Sequence, residues 1–195
     1  VLTGVNVGSY GSDLPLQVSL SQMLSIILPK FPNLKFRLSS MHPNEVDSEL
    51  LSIFLNHNNL QPYLHLSLQS LSDSVLERMK RPYKSNIALS VIKEASELIP
   101  GFGIGADIIT GFPEETDSEY EQTFSLLESL PMSYLHVFRY SSRPGTLASK
   151  MKQVDSQISI ERATKMRQLG KIKKDHFEQG LQGSKHVAIV ENSKV

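Results

Sequence analysis

Runs of apolar residues alternate along the chain with segments of helical period. The runs at residues 34–39, 63–68, 103–110 and 134–138 have the length and composition of strands, and residues 1–5 could form a fifth. They are nearly continuously apolar, which predicts burial on both faces. Strand and helix alternate at roughly the spacing of βαβ units, so the predicted class is α/β with a parallel sheet. The pattern suits an open sheet as well as part of a (β/α) barrel.

Helix signals set the expected domain boundaries. Thr116 and Glu119 form a capping box, which places a helix start directly after a Gly-Phe-Pro turn. Ser159 is the predicted cap of a long helix that runs to about Gln179 and ends at glycines. The short apolar run HVAIVE, from His186, has the character of a first strand of another domain. We therefore predict one domain over residues 1–183 and the start of a second over 184–195.

Polar turns follow two of the predicted strands directly. Gln69 and Ser70 end one strand, and Gly111, Phe112 and Pro113 end another. An α/β barrel builds its active site on the loops that follow the carboxyl ends of its strands. The sequence therefore predicts that these turns border a site.

Several polar residues near these turns allow two interpretations. Asp107 lies inside an apolar strand and needs a partner, either a hydrogen bond to a neighbouring loop or a ligand hydroxyl or cation. Gln69 raises the same question at its strand end. Arg81 follows a helix expected to begin near Ser72, and could either turn back toward an anionic group or end the helix in solvent. His42 lies at a strand-to-helix turn and is a further candidate for the site.

The predicted long helix is rich in cations. With Arg139 and Arg143 upstream, it could follow a phosphate backbone, or its cations could form an ordinary solvated face. The cations of the helix are Arg162, Lys165, Arg167, Lys171, Lys173 and Lys174.

Composition narrows the functional classes. The 195 residues are 39% hydrophobic, enough for one domain with a core. Lys+Arg and Asp+Glu are equal at 20 each, so contact with a nucleic acid would need a local basic patch. There is no cysteine, which excludes disulfides and any thiolate-ligated metal held by these residues alone. The apolar runs are too short to cross a membrane, and we expect a cytoplasmic protein.

Five segments, in order, resemble the radical S-adenosylmethionine enzymes called methylthiotransferases. The resemblance covers nearly the whole chain and implies a partial (β/α) barrel of the radical SAM type that lacks its first strand. It also implies that KHVAIVEN begins an RNA-binding, TRAM-like β-barrel domain. The segments are LTGVNVGSYG, FRLSSMHPNEV, LHLSLQSLSDSVLERMKRPY, DIITGFPEET and HVFRYSSRPGTLA.

Within this family, TGVN and HVFRYSSRPGT look most like the branch that acts on tRNA N6-threonylcarbamoyladenosine beside the anticodon. The resemblance implies cleavage of S-adenosylmethionine to a 5′-deoxyadenosyl radical, hydrogen abstraction from C2 of the adenine, and installation of a methylthio group. It implies two four-iron, four-sulfur clusters, held by cysteines that would lie upstream of Val1. The chain is then expected to be an inactive fragment. The alternatives are a non-catalytic RNA-binding module and another radical enzyme, such as a coproporphyrinogen oxidase relative.

The resemblance also implies site residues. Arg81 would meet the carboxylate of S-adenosylmethionine, Asp107 its ribose, and Asn6 would lie near its methionine end. The implied cofactor-binding set is Asn6, Ser40, Gln69, Arg81, Asp107, Gly111, Phe112 and Pro113. The implied substrate-binding residues, in the loop 140–146, are Tyr140, Ser141 and Arg143. No residue of the chain is expected to ligate a metal.

Two positions depart from the family pattern. Leu71 stands where the family has the glycine of Gln-Ser-Gly-Ser, which predicts a shifted turn and altered contacts from Gln69 and Ser70. Glu114 stands where the family has the glycine after Gly-Phe-Pro, which we expect to be the milder change.

Overall fold

A computed structural model describes residues 1–16 and 18–185. Single 3₁₀ turns occur at Pro43–Glu45 and Ala148–Lys150. The helices and strands, in chain order, are α1 (Leu20–Lys30), α2 (Ser48–Asn56), β1 (Tyr63–Gln69), α3 (Asp73–Arg78), α4 (Ser85–Leu98), β2 (Gly103–Thr110), α5 (Asp117–Ser129), β3 (Tyr134–Arg139) and α6 (Ser156–Gly180).

The three strands form a parallel sheet in the order β1-β2-β3. The predicted α/β class with a parallel sheet is confirmed. The expectation of regular strands at residues 34–39 and 1–5 is wrong, because these runs make only isolated parallel bridges, Leu2 with Leu38 and Phe36 with Leu60. Of the run at 34–39 only Leu38 is fully buried, so the segment joins the sheet at separate points.

Only one face of the sheet is packed against helices. Leu64, Leu66 and Leu68 of β1 are completely buried on that face, and Ile104 and Ala106 of β2 join them. The alternate residues point to the opposite, inner face and are only partly buried in β1 and largely exposed in β3. The prediction that the strands are buried on both faces is therefore wrong for the inner face, where polar and aromatic side chains lie.

Helix α6 starts earlier than the sequence suggested. Asp155 is its cap, and its carboxylate accepts hydrogen bonds from the backbone N–H groups of Gln157 and Ile158 at 2.8 and 3.3 Å. Ser159, the predicted cap, lies inside the helix and is buried. The capping box of Thr116 and Glu119 at the start of α5 is confirmed.

The predicted second domain at 184–195 lies almost wholly outside the described residues. The boundary near residue 183 stays a prediction. Within the two described ranges, no helix combines the length and the apolar character needed to cross a membrane.

Candidate active site

Two adjoining cavities lie where the chain leaves the carboxyl ends of β2 and β3. They share Ile109, Tyr140 and Ala148, and they differ in which turns close them. The first has a volume of about 340 Å³ and is lined by Arg78, Met79, Lys80, Arg81, Ile109, Phe112, Tyr140, Leu147 and Ala148. The second has a volume of about 400 Å³ and is lined by Ile109, Phe138, Arg139, Tyr140, Ser141, Arg143, Thr146 and Ala148.

These cavities gather five of the residues implied by the sequence. Arg81 and Phe112 line the first, whereas Ser141 and Arg143 line the second. Tyr140 belongs to both, and its ring meets the Phe112 ring edge-on with centroids 5.3 Å apart. The turn after β2 is thereby joined to the loop after β3, the expected position of a site in a barrel.

Two arginines of the first cavity differ in their partners. Arg78 makes a two-pronged contact with Glu119, with N···O distances of 2.9 and 2.7 Å. Hydrogen bonding to Arg78 is the main reason that the pKa of Glu119 falls to about 2. Arg81 forms no ion pair with any residue of the described ranges and is half-buried. Arg81 is thus the arginine of this cavity whose charge remains available to an anionic ligand, and the exposed Lys80, which also lines the cavity, forms no ion pair within the described residues either.

Gln69 ends β1 in a strained conformation. Its φ is 60°, in the left-handed region that side chains other than glycine seldom adopt, and it is 9% exposed. The register of β1 against β2 is irregular between Leu66 and Gln69. Backbone strain of this kind is concentrated at functional sites, which supports a role for this turn.

The residues after Gln69 are held by α5. The hydroxyl groups of Ser70 and Thr123 lie 3.1 Å apart, and the Leu71 N–H donates to the Thr123 hydroxyl at 3.2 Å. Leu71 is completely buried, so the side chain that replaces the family's glycine is part of the core. Thr123 was not identified from the sequence, and its helical position gives no signal of this contact.

Asp107 lies at the centre of a hydrogen-bonded chain on the inner face. Its Oδ1 lies 3.2 Å from His65 Nε2 of β1 and 3.2 Å from His136 Nδ1 of β3. The Tyr63 hydroxyl lies 2.8 Å from the other ring nitrogen of His65. Burial acts to raise the pKa of Asp107, but the hydrogen bonds and charges of the two histidines outweigh it and the pKa is lowered. The partners of Asp107 are therefore strand histidines rather than a loop.

Asn6 and Ser40 line neither of the two cavities. The Asn6 side-chain amide donates to Glu45 Oε1 at 2.6 Å, and Glu45 Oε2 accepts from the backbone N–H of His42 at 2.9 Å. Ser40 is exposed. Asn6 and His42 thus meet through Glu45, a residue that the sequence did not single out.

The turn from Gly111 to Pro113 is buried, and its first residue has a φ of 70°. The Gly111 N–H donates to Glu115 Oε2 at 2.8 Å, and the same oxygen accepts from Arg162 Nη1 at 2.7 Å. Burial raises the pKa of Glu115 against the opposing effects of Gly111 and Arg162. Gly111 is thus held by Glu115, and Phe112, the next residue of the turn, lines the first cavity.

Four of the six cations named for α6 have a partner within the described residues, one of them Lys174, which is paired with Glu178 of the same helix. Arg162 is only 6% exposed and is paired with Glu115. Lys173 donates to the carbonyl groups of Glu128 and Leu130 at the end of α5, and Arg167 donates to the carbonyl of Val137. The suggestion that all these cations follow a phosphate backbone is therefore wrong for Arg162, because a buried and paired guanidinium cannot reach one.

A larger cavity, of about 770 Å³, opens at the amino ends of the strands beside the end of α6. Of the residues implied by the resemblance, none lines it. It lies at the opposite end of the sheet from the turns that follow the strands, so we assign the site to the two smaller cavities.

The two implied cofactors fit this chain differently. S-adenosylmethionine finds an available guanidinium in Arg81 and aromatic rings in Phe112 and Tyr140. An iron–sulfur cluster finds no thiolate, because the 195 residues contain no cysteine. The residues of this chain therefore fit the first group and do not fit the clusters.

Comparisons with known proteins agree with the geometry. Residues 9–127 match the family model described as the radical SAM superfamily. The chain superposes on coproporphyrinogen III oxidase of Escherichia coli with a TM-score of 0.64 and 16% identity, over 82% of this chain and 38% of that one. This second likeness shows the fold alone, and it confirms the predicted partial barrel of the radical SAM type.

Curated relatives include methylthiotransferases of two kinds. The chain is 39% identical, over its whole length, to threonylcarbamoyladenosine tRNA methylthiotransferase MtaB of Rickettsia prowazekii, and covers 47% of it. Over 78% of the chain it is 42% identical to MtaB of Thermotoga maritima, covering 35%. Over 93% it is 33% identical to tRNA-2-methylthio-N(6)-dimethylallyladenosine synthase of Neorickettsia sennetsu, covering 39%. The chain thus spans less than half the length of these relatives. The family-model match places the chain in the radical SAM superfamily, and the resemblance to the methylthiotransferases of that superfamily is confirmed by these relatives.

Proposed function

We propose that this chain is the barrel portion of a tRNA methylthiotransferase that adds a methylthio group to C2 of N6-threonylcarbamoyladenosine beside the anticodon. The observation that carries the proposal is the pair of adjoining cavities, one with the available cation Arg81 and one closed by the loop from Tyr140 to Arg143. The names of the relatives favour this reaction class, and those from Rickettsia prowazekii and Thermotoga maritima favour this nucleoside.

In this proposal the first cavity binds S-adenosylmethionine. Arg81 offers a guanidinium fork that matches the carboxylate of the cofactor, a pairing stronger than a neutral hydrogen bond. Phe112 and Tyr140 supply the aromatic walls. The bound cofactor supplies the radical chemistry, while these residues orient it and keep water away.

The second cavity takes the nucleoside. Arg139 and Arg143 line it and are exposed, so they can contact the phosphates of an RNA strand. Tyr140 offers an aromatic ring, and Ser141 a hydroxyl, to an unstacked base. Since the net charge of the chain is zero, RNA binding in this proposal depends on this local patch.

A second candidate function is a non-catalytic RNA-binding module. The 195 residues contain no cysteine, which is compatible with this candidate as well as with the enzyme. The two candidates are distinguished by the coding sequence upstream. A Cys-x-x-x-Cys-x-x-Cys segment there supports the enzyme, and a complete reading frame without one leaves the binding module.

The decisive experiment is nucleoside analysis. The complete coding sequence that contains this chain is expressed anaerobically in a host that lacks its own enzyme, and its tRNA nucleosides are analysed by mass spectrometry. We expect 2-methylthio-N6-threonylcarbamoyladenosine from the wild type, its loss in Arg81→Gln, and its retention in the exposed helix variant Lys93→Gln. Unmodified tRNA despite an intact cluster would refute the proposed substrate.

A further inference from the structure

The turn from Gly111 to Pro113 is tied to α6 by buried polar contacts. Arg162, two turns into α6, reaches the loop after β2 with both terminal nitrogens. Its Nη1 donates to the Glu115 carboxylate at 2.7 Å and to the Glu115 backbone carbonyl at 3.0 Å, and its Nη2 donates to Asp117 at 2.6 Å. One guanidinium thus holds the side chain and backbone carbonyl of Glu115 in the loop and the side chain of Asp117, the first residue of α5.

The guanidinium itself is fixed from several sides. It lies over the Tyr120 ring at 5.4 Å, and the Tyr120 hydroxyl donates to the Arg162 backbone carbonyl at 3.1 Å. The side chains of Arg162 and Glu115 are 7% and 4% exposed. A buried, planar and multiply bonded arginine has little freedom, so the position of Glu115 follows that of α6.

The turn is also pressed against α6 sterically. A Cβ at Gly111 would lie 2.5 Å from Ser159 Oγ, so only glycine allows this approach. The Glu115 carboxylate accepts a hydrogen bond from the Gly111 N–H at 2.8 Å. The Glu114 N–H donates to the Lys152 carbonyl, just before α6, at 3.0 Å. The turn therefore has a defined place relative to α6.

Stability alone does not require this arrangement. A buried ion pair is weak evidence of stabilisation, because well-packed apolar residues can often replace it at no cost. What the pair provides is a fixed position for the backbone at Gly111, which directly precedes Phe112, the residue of this turn that lines the first cavity.

We propose that Arg162 and Glu115 are positioning residues that set the turn from Gly111 to Pro113, and through Phe112 set the shape of the cofactor cavity. The assignment of that cavity to S-adenosylmethionine rests on the proposed function, but the positioning itself does not. Arg162 acts through Glu115 and touches no ligand. The sequence grouped it with cations that could follow RNA, whereas its contacts assign it to the turn.

The test measures the turn directly, in this chain without cofactor or tRNA. Amide hydrogen exchange followed by NMR compares wild type with Arg162→Lys, which keeps the charge and loses the fork, and with Glu115→Leu, which removes the oxygen that accepts from both Gly111 and Arg162. We expect the Gly111 amide to exchange about tenfold faster or more in both, with β1 amides such as Leu66 unchanged. The control Lys165→Gln, at an exposed cation of the same helix that forms no ion pair within the described residues, should leave Gly111 near wild type.

A second measurement connects the turn to the cavity. In the complete protein, with its clusters in place, the dissociation constant for S-adenosylmethionine should rise about tenfold in Arg162→Lys while tRNA affinity is unchanged. Wild-type exchange at Gly111 in a folded Arg162→Lys or Glu115→Leu variant would overturn the positioning role. Equal acceleration of exchange at Gly111 and Leu66 would mean that the substitutions lower the stability of the whole fold and do not act on the turn in particular. Faster exchange together with unmodified tRNA in the wild type would reject the proposed function alone.

Discussion

Glu114 offers a sharp test of the backbone geometry at the turn. Its φ is 63°, in the left-handed region, and its side chain is exposed. Its N–H is hydrogen-bonded to the Lys152 carbonyl at 3.0 Å, so the conformation is held by the surrounding fold. Replacing Glu114 by glycine removes the conflict between Cβ and the backbone and removes no buried contact.

The expected gain follows from two opposing effects. A left-handed conformation costs a residue with a Cβ roughly 1–2 kcal/mol relative to glycine. Glycine also loses more conformational freedom on folding, which stabilises the unfolded state by about 0.4–1 kcal/mol and offsets part of this gain. We therefore expect Glu114→Gly to raise the free energy of unfolding by about 0.5–1 kcal/mol.

Urea denaturation followed by circular dichroism measures this change. Glu114→Ala is the matched control, because it removes the carboxylate and keeps the Cβ, and it should leave the free energy of unfolding nearly unchanged. Glu121→Gly is the second control, since Glu121 is exposed inside α5, where glycine costs about 1 kcal/mol. Equal gains from Glu114→Gly and Glu114→Ala would refute the backbone argument, as would a loss of stability in Glu114→Gly.

Three further variants test other contacts. Arg78 lowers the pKa of Glu119 to about 2, so Glu119→Gln should cost about 1–2 kcal/mol of unfolding free energy at pH 7. The ionised carboxylate stabilises the fold at pH values above its unfolded-state pKa, and this stabilisation is lost as the pH falls through its lower folded-state pKa. The difference in unfolding free energy between wild type and Glu119→Gln should therefore fade between pH 4.5 and about 2, and a difference that stays constant would contradict the ion-pair argument. Leu71→Ala should cost about 2–5 kcal/mol in urea denaturation, and a neutral result would mean the side chain is not packed. Asp107 lines neither cavity, so Asp107→Ala in the complete protein tests the ribose contact that the family resemblance implies. That contact predicts S-adenosylmethionine binding weakened about tenfold in equilibrium dialysis without unfolding of the barrel, whereas unchanged affinity would make Asp107 purely structural.

The elements that the sequence predicted well are those whose signals are local. β2 begins and ends at the predicted residues, because a continuous apolar run is closed by Gly111 and Pro113. The start of α5 was predicted from Thr116 and Glu119, which bond to each other within one turn. The segment at residues 34–39 was not predicted correctly. Its apolar content suggests a strand, but whether it forms a continuous ladder depends on the hydrogen bonds that neighbouring segments offer, and its own sequence does not show these.

The features of the candidate site also divide into those with a local sequence signal and those without one. The turns after the strands were predictable, because a parallel sheet brings its carboxyl ends to one edge. The partners of Asp107 and Arg162 were not, since His65 and Glu115 lie 42 and 47 residues away along the chain. A cation pattern on a helix does not distinguish Arg162, which is buried, from Lys165, which is exposed. Such pairings depend on tertiary packing rather than on residue type.

Both departures from the family pattern replace a glycine, but the two replacements have different structural consequences. Leu71 has a negative φ and is completely buried, so the backbone tolerates a side chain there and the core gains one. Glu114 has a φ of 63° and gains no packing, because it is exposed. The sequence ranked the change at Leu71 as the more serious, and the backbone reverses that order. A glycine replaced by another residue is therefore costly where φ is positive, and its absence elsewhere mainly changes packing.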